Sequence, residues 1–306
     1  MLRKIIVLSF ILLISQMVLA QKVKPTPMSL PIAQPQTLDE KIKSEIKDFS
    51  GKVWVYAKNL DSGKEYSLRG EEKVRTASTI KLPIMTEVFH QIAQGKIKWT
   101  DEFILPNMNK ETGAGILFEF SEGTKIDLKT ATNLMIVISD NFATNLILEK
   151  ISSNNVNDFM KTLGLNNTLS LRKIGGGGDS KAYDEPLNKL FGIGVSTPKD
   201  MVTLLEKLEN GEVVSKEASA QMIAILKRQQ YTDGIGRNLL DTVPIASKSG
   251  ALDRLRSDVG IVYTRRGRIV MAITCDDNPV VHYNWDGEAE KLIWRISLLL
   301  QDGLGK

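Results

Sequence analysis

Ser78 and Lys81 have side chains whose types and spacing suit covalent catalysis. A serine hydroxyl is a weak nucleophile until a base takes its proton, and a lysine whose pKa is lowered by burial or by nearby cations is such a base. Apolar side chains recur at helical spacing over residues 82–92. Since three residues make nearly one helical turn, we expect Ser78 and Lys81 to share one face at the amino end of a helix. The free N–H groups of that end would stabilise an oxyanion.

Two tripeptides farther along the chain hold residue types that would complete such a site. Ser139-Asp140-Asn141 follows an apolar segment, and Lys248-Ser249-Gly250 follows a predicted short strand. Each element alone has an ordinary structural explanation: a Ser-x-x-Lys pair on a surface helix, a helix cap or turn, and the lysine-bearing edge of a hairpin. Their occurrence together, in this order and in these contexts, favours one catalytic site built from all three.

The three elements together resemble the catalytic motifs of class A β-lactamases and penicillin-binding proteins, the penicillin-recognising serine hydrolases. The chain is similar to class A in particular, because the second tripeptide continues as Phe142-Ala143-Thr144-Asn145-Leu146. Residues 196–201 also resemble the segment with which that class re-enters a helix after its Ω loop. The resemblance covers residues 38–303. It implies a serine hydrolase that opens the cyclic amide of a β-lactam through an acyl-enzyme.

The resemblance implies a catalytic role for three of the matched residues. Ser78 would attack the amide carbonyl, and Lys81 would act as its base or relay the proton. Ser139 would pass a proton to the leaving nitrogen.

Five further matched residues are implied to bind the substrate. Lys248 would keep Ser139 in place and, together with Ser249, would bind the substrate carboxylate. Asn141 would hydrogen-bond the acylamide side chain. Gly250 completes the third motif, and the N–H groups of Ala251 and of the nucleophile would form the oxyanion hole.

The carboxylate that activates water for deacylation is ambiguous in this chain. Class A enzymes carry it in the pattern Glu-x-x-Leu-Asn, and the matching segment here is Asp184-Glu185-Pro186-Leu187-Asn188. Alignment on Leu187 and Asn188 selects Asp184, whereas alignment on Glu185 leaves the spacing one residue short. The alternative is that both acids are solvated loop residues. The glycines at 175–178 are predicted to form a mobile loop and to lengthen this region.

A second departure lies on the strand after Lys248. The class often has an arginine there that helps to bind the carboxylate, but Asp258 stands near that position. Arg254 or Arg256 would have to reach the substrate instead.

The elements that position these residues follow from periodicity. Thr37-Leu38-Asp39-Glu40 has the spacing of a capping box and begins a helix. Strands are predicted in a hairpin over 53–57 and 64–68 and again over 244–247, 258–264 and 268–274, and a last helix over 288–300. The segment between the two groups of strands is mostly helical.

We therefore predict an α/β (α+β) fold in which an antiparallel sheet is flanked by terminal helices and carries an inserted all-helical subdomain. The catalytic domain would span residues 37–303, with an α/β part at 37–81 and 217–303 and a helical part at 82–216.

The amino end has the features of a secretory signal peptide. A short basic stretch precedes an apolar run that ends at Ala20, where we expect cleavage, and a proline-rich linker follows over 21–36. The chain is therefore expected to be periplasmic or secreted, without a stable membrane anchor. Cys275 is the only cysteine, so no internal disulfide is possible, and we expect it to be a small core residue.

Other classes of function are disfavoured. The formal net charge of +4 does not indicate a nucleic-acid partner. His90 and His282 are the only histidines and, with one cysteine, give no zinc spacing, so neither a metal nor another cofactor is expected. Two alternatives to the lactamase stay open. One is a D,D-peptidase or esterase acting on a peptidoglycan-like substrate, and the other is a penicillin sensor that is acylated once. We expect a monomer.

Overall fold

The structure, a computed structural model, describes residues 36–107, 110–239, 242–281 and 283–305. The predicted signal peptide, all of the predicted linker except Gln36, and His282 lie outside the described residues. From Thr37 onward the chain forms one compact unit. Within the described part, no helix is both long and apolar enough to cross a membrane.

The bounds of the regular elements are as follows. The helices are α1 Leu38–Ile46, α2 Lys81–Ala93, α3 Leu128–Val137, α4 Asn141–Ile151, α5 Ser153–Thr162, α6 Pro198–Glu209, α7 Lys216–Leu226 and α8 Glu288–Leu304. The strands are β1 Lys52–Asn59, β2 Glu65–Leu68, β3 Val74–Arg75, β4 Glu102–Ile104, β5 Lys125–Asp127, β6 Leu169–Ser170, β7 Gly194–Ser196, β8 Ile245–Leu252, β9 Leu255–Thr264 and β10 Gly267–Asp276.

The main sheet is antiparallel and joins the two ends of the chain. Its strand order is β2-β1-β10-β9-β8, and Val55 of β1 lies opposite Ile273 of β10. This sheet, with α1 and α8 packed together beside it, confirms the predicted fold class. β8 is an edge strand, so one of its sides is free to face the site.

Each face of the sheet is covered by its own hydrophobic core. On β10, Val270 and Ala272 belong to a large core shared with helices α2 to α7, whereas Ile269, Met271 and Ile273 belong to a smaller core under α1 and α8. The alternation follows from the two-residue period of a strand. Burial of a valine, isoleucine or methionine side chain contributes roughly 1.5–3 kcal/mol, so the sheet is stabilised from both sides.

Local sequence signals set where the helices begin. The predicted capping box is present: the Thr37 side chain accepts a hydrogen bond from the N–H of Glu40, whose carboxylate accepts one from the N–H of Thr37. The α6 helix begins in a similar way, with Thr197 as cap and Pro198 in its first turn. Cys275 is buried in the smaller core, as expected for a structural thiol.

Two differences from the sequence-based expectation concern the strands. The Lys248-Ser249-Gly250 motif lies within β8, although a shorter strand was predicted to end before it. Polar residues are tolerated there because β8 is at the edge of the sheet. The region expected to be mostly helical also contains two small antiparallel sheets, β4-β5 and β3-β7-β6, the second of which includes β3 from the segment before it.

Candidate active site

The predicted nucleophile lies in a tight turn at the start of α2. Ser78 is the second residue of the 3₁₀ turn Ala77–Ile80, and Lys81 is the first residue of α2. Side chains three residues apart eclipse in a 3₁₀ turn, so Ser78 and Lys81 share one face. Ala77, which is buried, has a φ of 45°. A non-glycine residue in this left-handed region costs about 1–3 kcal/mol, which surrounding packing must offset.

The side-chain nitrogen of Lys81 is buried and lies within hydrogen-bond distance of three acceptors. Its Nζ atom is 2.6 Å from the carbonyl oxygen of Ser139, 3.2 Å from Ser139 Oγ and 2.8 Å from Asn141 Oδ1. A protonated lysine has three donors, which match these three acceptors. A neutral amine has a lone pair instead of the third donor, and that lone pair can accept a hydroxyl proton.

The surroundings of Lys81 favour the neutral amine. Burial is the main cause that holds the pKa of Lys81 well below its usual value of 10.5. The positive charge of Lys248 lowers that pKa further, and the carboxylate of Asp140 opposes both effects. A lysine of this kind suits the role of base toward a serine hydroxyl at neutral pH.

Asp140 fixes the corner between α3 and α4 that carries Ser139. Its Oδ1 accepts a hydrogen bond from the N–H of Ala143 at 2.8 Å and thereby caps α4. Its Oδ2 accepts hydrogen bonds from the N–H groups of Ile116 and Leu117, each at 2.8 Å. Ser139 has a φ of 56°, so the corner is held in a conformation that it would not adopt freely.

Lys248, on strand β8, donates a hydrogen bond to the hydroxyl group of Ser139. Its side chain is fully buried, and its Nζ atom donates to Ser139 Oγ at 3.1 Å and to the carbonyl oxygen of Ser249 at 2.7 Å. Burial lowers the pKa of Lys248 to about 7, although the charge of Asp258 acts in the opposite direction. Ser139 Oγ therefore lies between two buried lysines.

Ser139 lines a cavity of about 1140 Å³, whereas Lys81 and Lys248 are not among its lining residues. Its lining includes six of the predicted site residues: Ser78, Ser139, Asn141, Ser249, Gly250 and Ala251. Gly250 lets β8 lie directly against the nucleophile turn. A Cβ atom there would come within 2.8 Å of the Thr76 carbonyl oxygen and 2.9 Å of the Ser78 nitrogen.

A family model matches this chain over residues 37–304, under the description Beta-lactamase enzyme family. The chain belongs to the Beta-lactamase enzyme family. Among curated relatives, Beta-lactamase SME-1 of Serratia marcescens is 24% identical over 186 residues, or 59% of this chain. The match spans 60% of the length of that relative.

Solved structures of similar proteins share the architecture. A β-lactamase from Sphaerobacter thermophilus aligns with a TM-score of 0.75 at 28% identity and covers 87% of this chain and 96% of that one. A mutant of PBP-A, solved as an acyl-enzyme complex with penicillin G, aligns with a TM-score of 0.75 at 25% identity, covering 87% and 95%. The predicted penicillin-recognising superfamily is confirmed.

Asp184 and Glu185 are the two residues predicted to activate water for deacylation. Both are exposed at the end of a 3₁₀ turn, Lys181–Asp184, and neither lines the cavity. Asn145, one turn beyond Asn141 on α4, bonds both the N–H and the carbonyl of Ile174, each at 2.9 Å. The loop that contains Ile174, Asp184 and Glu185 is thus bonded to α4 at Ile174, ten residues before Asp184. Their role in deacylation stays a prediction.

Among the residues that line the cavity, Glu111 escaped the sequence reasoning, whereas Arg254, Arg256 and Asp258 were named in it. Glu111 lines the cavity and lies against Gly175, a contact that local patterns do not reveal. Arg254 and Arg256 both line it, as the missing arginine suggested, but Arg256 is bonded to Glu290. Asp258 had a visible signal, an acid within an apolar strand, and it is buried at the cavity.

We expect Asp140→Ala to lower the free energy of unfolding of this protein more than Asp127→Ala, its matched control. Asp127 also caps a helix, α3, but it accepts hydrogen bonds only from Thr130 among the described residues. Loss of a cap alone costs about 1 kcal/mol. Loss of Asp140 also leaves two N–H groups unpaired, at about 1–3 kcal/mol each. Urea unfolding measures the free energy of unfolding of each variant. An equal decrease for the two variants would contradict this account of the corner.

Proposed function

We propose that the chain is a serine β-lactamase-type hydrolase of the class A kind, in which Ser78 becomes acylated. The observation that carries the proposal is the buried Lys81, whose pKa is well below the usual value and whose Nζ lies 3.2 Å from Ser139 Oγ in the wall of the cavity that Ser78 lines. Membership of the family supports the same activity. Its substrate class is β-lactams, and export follows from the predicted signal peptide.

Acylation needs only residues that meet at this site. The neutral amine of Lys81 takes the hydroxyl proton of Ser78 as its oxygen attacks the amide carbonyl. The N–H groups of Ser78 and Ala251 stabilise the oxyanion. When the C–N bond breaks, the nitrogen takes a proton from Ser139. Protonated Lys81 then transfers the proton that it took from Ser78 to Ser139 through the hydrogen bond that joins them. Both groups thereby return to their neutral forms.

Substrate recognition is assigned to the residues around this proton path. Lys248 and Ser249 bind the carboxylate, where a charge-assisted hydrogen bond contributes about 1.5–3 kcal/mol. The amide of Asn141 already donates to the Thr112 carbonyl at 2.7 Å and accepts from Lys81, so it links the rim of the cavity to the base. Its position suits contact with the acylamide side chain.

A second candidate is a D,D-peptidase-type enzyme on the same scaffold, with slow release of a penicillin acyl group. The absence of Asp184 and Glu185 from the cavity lining favours it, because a water-activating base must lie within hydrogen-bond reach of the water it activates. The hydrogen bonds between Asn145 and the Ile174 backbone favour it too, because the residue that they fix beside α4 has an apolar side chain.

We expect penicillin G to form one covalent adduct on Ser78. Intact-mass analysis should show the adduct in the parent and in Ser44→Ala, a control at an exposed serine of α1, and no adduct in Ser78→Ala. An adduct that survives Ser78→Ala would reject the assignment. A chromogenic cephalosporin then separates the two candidates, since sustained turnover identifies a β-lactamase and a burst of one equivalent identifies the slow-release enzyme.

We also expect Asp184→Asn and Glu185→Gln to acylate and deacylate at the parent's rates, because both acids are exposed and lie outside the cavity. Single-turnover mass spectrometry follows the appearance and loss of the adduct. A general base contributes about 10²–10⁴-fold to its step. A fall of that size in deacylation, with acylation unchanged and the adduct accumulating, would restore one of them as the base.

A further inference from the structure

One wall of the cavity is formed by Asn141 of α4 and by residues 111–114, which follow β4 in the chain. Within this wall the single charged residue is Glu111. The other charged lining residues come from β3, from the sequence between α7 and β9, and from β9 and α8. They are Arg75, Asp233, Asp253, Arg254, Arg256, Asp258 and Glu290. The carboxylate of Glu111 therefore belongs to a side of the cavity where the lining is otherwise uncharged.

Hydrogen bonds to α4 fix the backbone on both sides of this carboxylate. Asn141 and Asn145 are four residues apart and share one face of the helix. The Nδ2 atom of Asn141 donates to the Thr112 carbonyl at 2.7 Å. Asn145 bonds both the N–H and the carbonyl of Ile174, each at 2.9 Å. The segments that contain residues 112 and 174 thus both pack along the same face of α4.

Glu111 and Gly175 are the neighbours of those two bonded residues, and they lie against each other. A Cβ atom on Gly175 would come within 2.3 Å of Glu111 Oε2, so the carboxylate fills the space that a side chain there would take. Gly175 has a φ of 78°, a conformation that suits glycine. Contact between the two segments therefore sets the position of the carboxylate at the cavity wall.

The basic residues close to Glu111 in this part of the fold have other partners. Lys173 pairs with Glu149 at 2.7 Å, and Lys110 donates to the Phe120 carbonyl. Arg172 donates to the carbonyl of Lys173. Among the described residues, none forms an ion pair or a side-chain hydrogen bond with Glu111. The carboxylate is thus available to a cationic group that enters the cavity.

The proposed orientation of the substrate decides which of its groups would reach Glu111. Lys248 and Ser249 are assigned to the substrate carboxylate, and they lie on β8. Asn141 is assigned to the acylamide side chain, and it is bonded to the residue that follows Glu111. The far end of the acyl side chain therefore points toward Glu111. A carboxylate without a cationic partner is complementary to an ammonium group, with which it forms a charge-assisted hydrogen bond.

We propose that Glu111 is a specificity-determining residue that binds an ammonium group on the acyl side chain of the substrate. The enzyme would then favour zwitterionic β-lactams, whose carboxylate binds at Lys248 and whose ammonium group binds at Glu111. The inference rests on the proposed function, because that function sets the orientation of the substrate.

The test compares three penicillins that differ at one carbon of the acyl side chain. Penicillin G is uncharged there, ampicillin carries an ammonium group and carbenicillin carries a carboxylate. Mass spectrometry gives the second-order rate constant of Ser78 acylation at about pH 6, where an α-amino group is protonated. In Glu111→Gln, the constant for ampicillin should fall about tenfold relative to the parent, as expected for loss of one charge-assisted hydrogen bond. The constant for penicillin G should not change, and that for carbenicillin should rise.

Two matched controls separate this effect from changes in charge or in the loop. Glu119→Gln removes the same charge from an exposed position outside the cavity lining, so all three constants should match the parent's. Gly175→Ala should reproduce the loss with ampicillin, because the added methyl group displaces the Glu111 carboxylate. Gly177→Ala is its control: φ is 76° there, but a Cβ atom would meet nothing within 4 Å.

Three results would overturn the inference. An unchanged constant for ampicillin in Glu111→Gln would show that the carboxylate does not bind the ammonium group. An equal fall for all three penicillins would show that Glu111 supports the cavity wall and not recognition. Slower loss of the adduct with unchanged acylation would assign Glu111 to water activation. Failure of the parent to form an adduct with any of the three would instead reject the proposed function itself.

Discussion

Two lysine side chains without exposed surface, Lys81 and Lys248, share one hydroxyl group, that of Ser139. Removing an ammonium group from water costs several kcal/mol. Two positive charges that both lie within hydrogen-bond distance of one hydroxyl group also repel each other. The arrangement is stable only if at least one of the amines gives up its proton readily. That requirement supplies the base for the chemistry, and the surrounding structure serves to hold the two lysines and the hydroxyl together.

The three groups come from different layers of the fold. Lys81 begins the central helix α2, Ser139 lies at the corner between α3 and α4, and Lys248 projects from the edge strand β8. No single helix or strand fixes the distances between these three groups. Contacts between residues far apart in the sequence fix them instead. Asp140 accepts hydrogen bonds from the N–H groups of Ile116 and Leu117. Gly250 lets β8 pack directly against the nucleophile turn. The strained backbone at Ala77 and at the corner is offset by this packing.

Much of this could be predicted from the sequence because the signals are local. Hydrophobic periodicity revealed the sheet, the terminal helices and the helical middle, and residue type with spacing selected Ser78, Lys81, Ser139 and Lys248. β8 was predicted too short because the polar residues of an edge strand resemble a loop. The water-activating base could not be located, since the register of its loop depends on hydrogen bonds between Asn145 and Ile174, 29 residues apart. Burial of Asp258 likewise depends on neighbours that sequence patterns do not reveal.

The most direct test of this account is the protonation state of Lys81. Protein labelled with ¹³C at the lysine ε carbons is titrated by NMR, and the Lys81 resonance is assigned by its absence from Lys81→Met. The account predicts that this resonance titrates well below 10.5, the usual pKa of lysine, because burial and the charge of Lys248 favour the neutral amine that accepts the Ser78 proton. A Lys81 resonance that titrates near 10.5 would contradict the account, because a permanently charged lysine cannot accept the proton of Ser78.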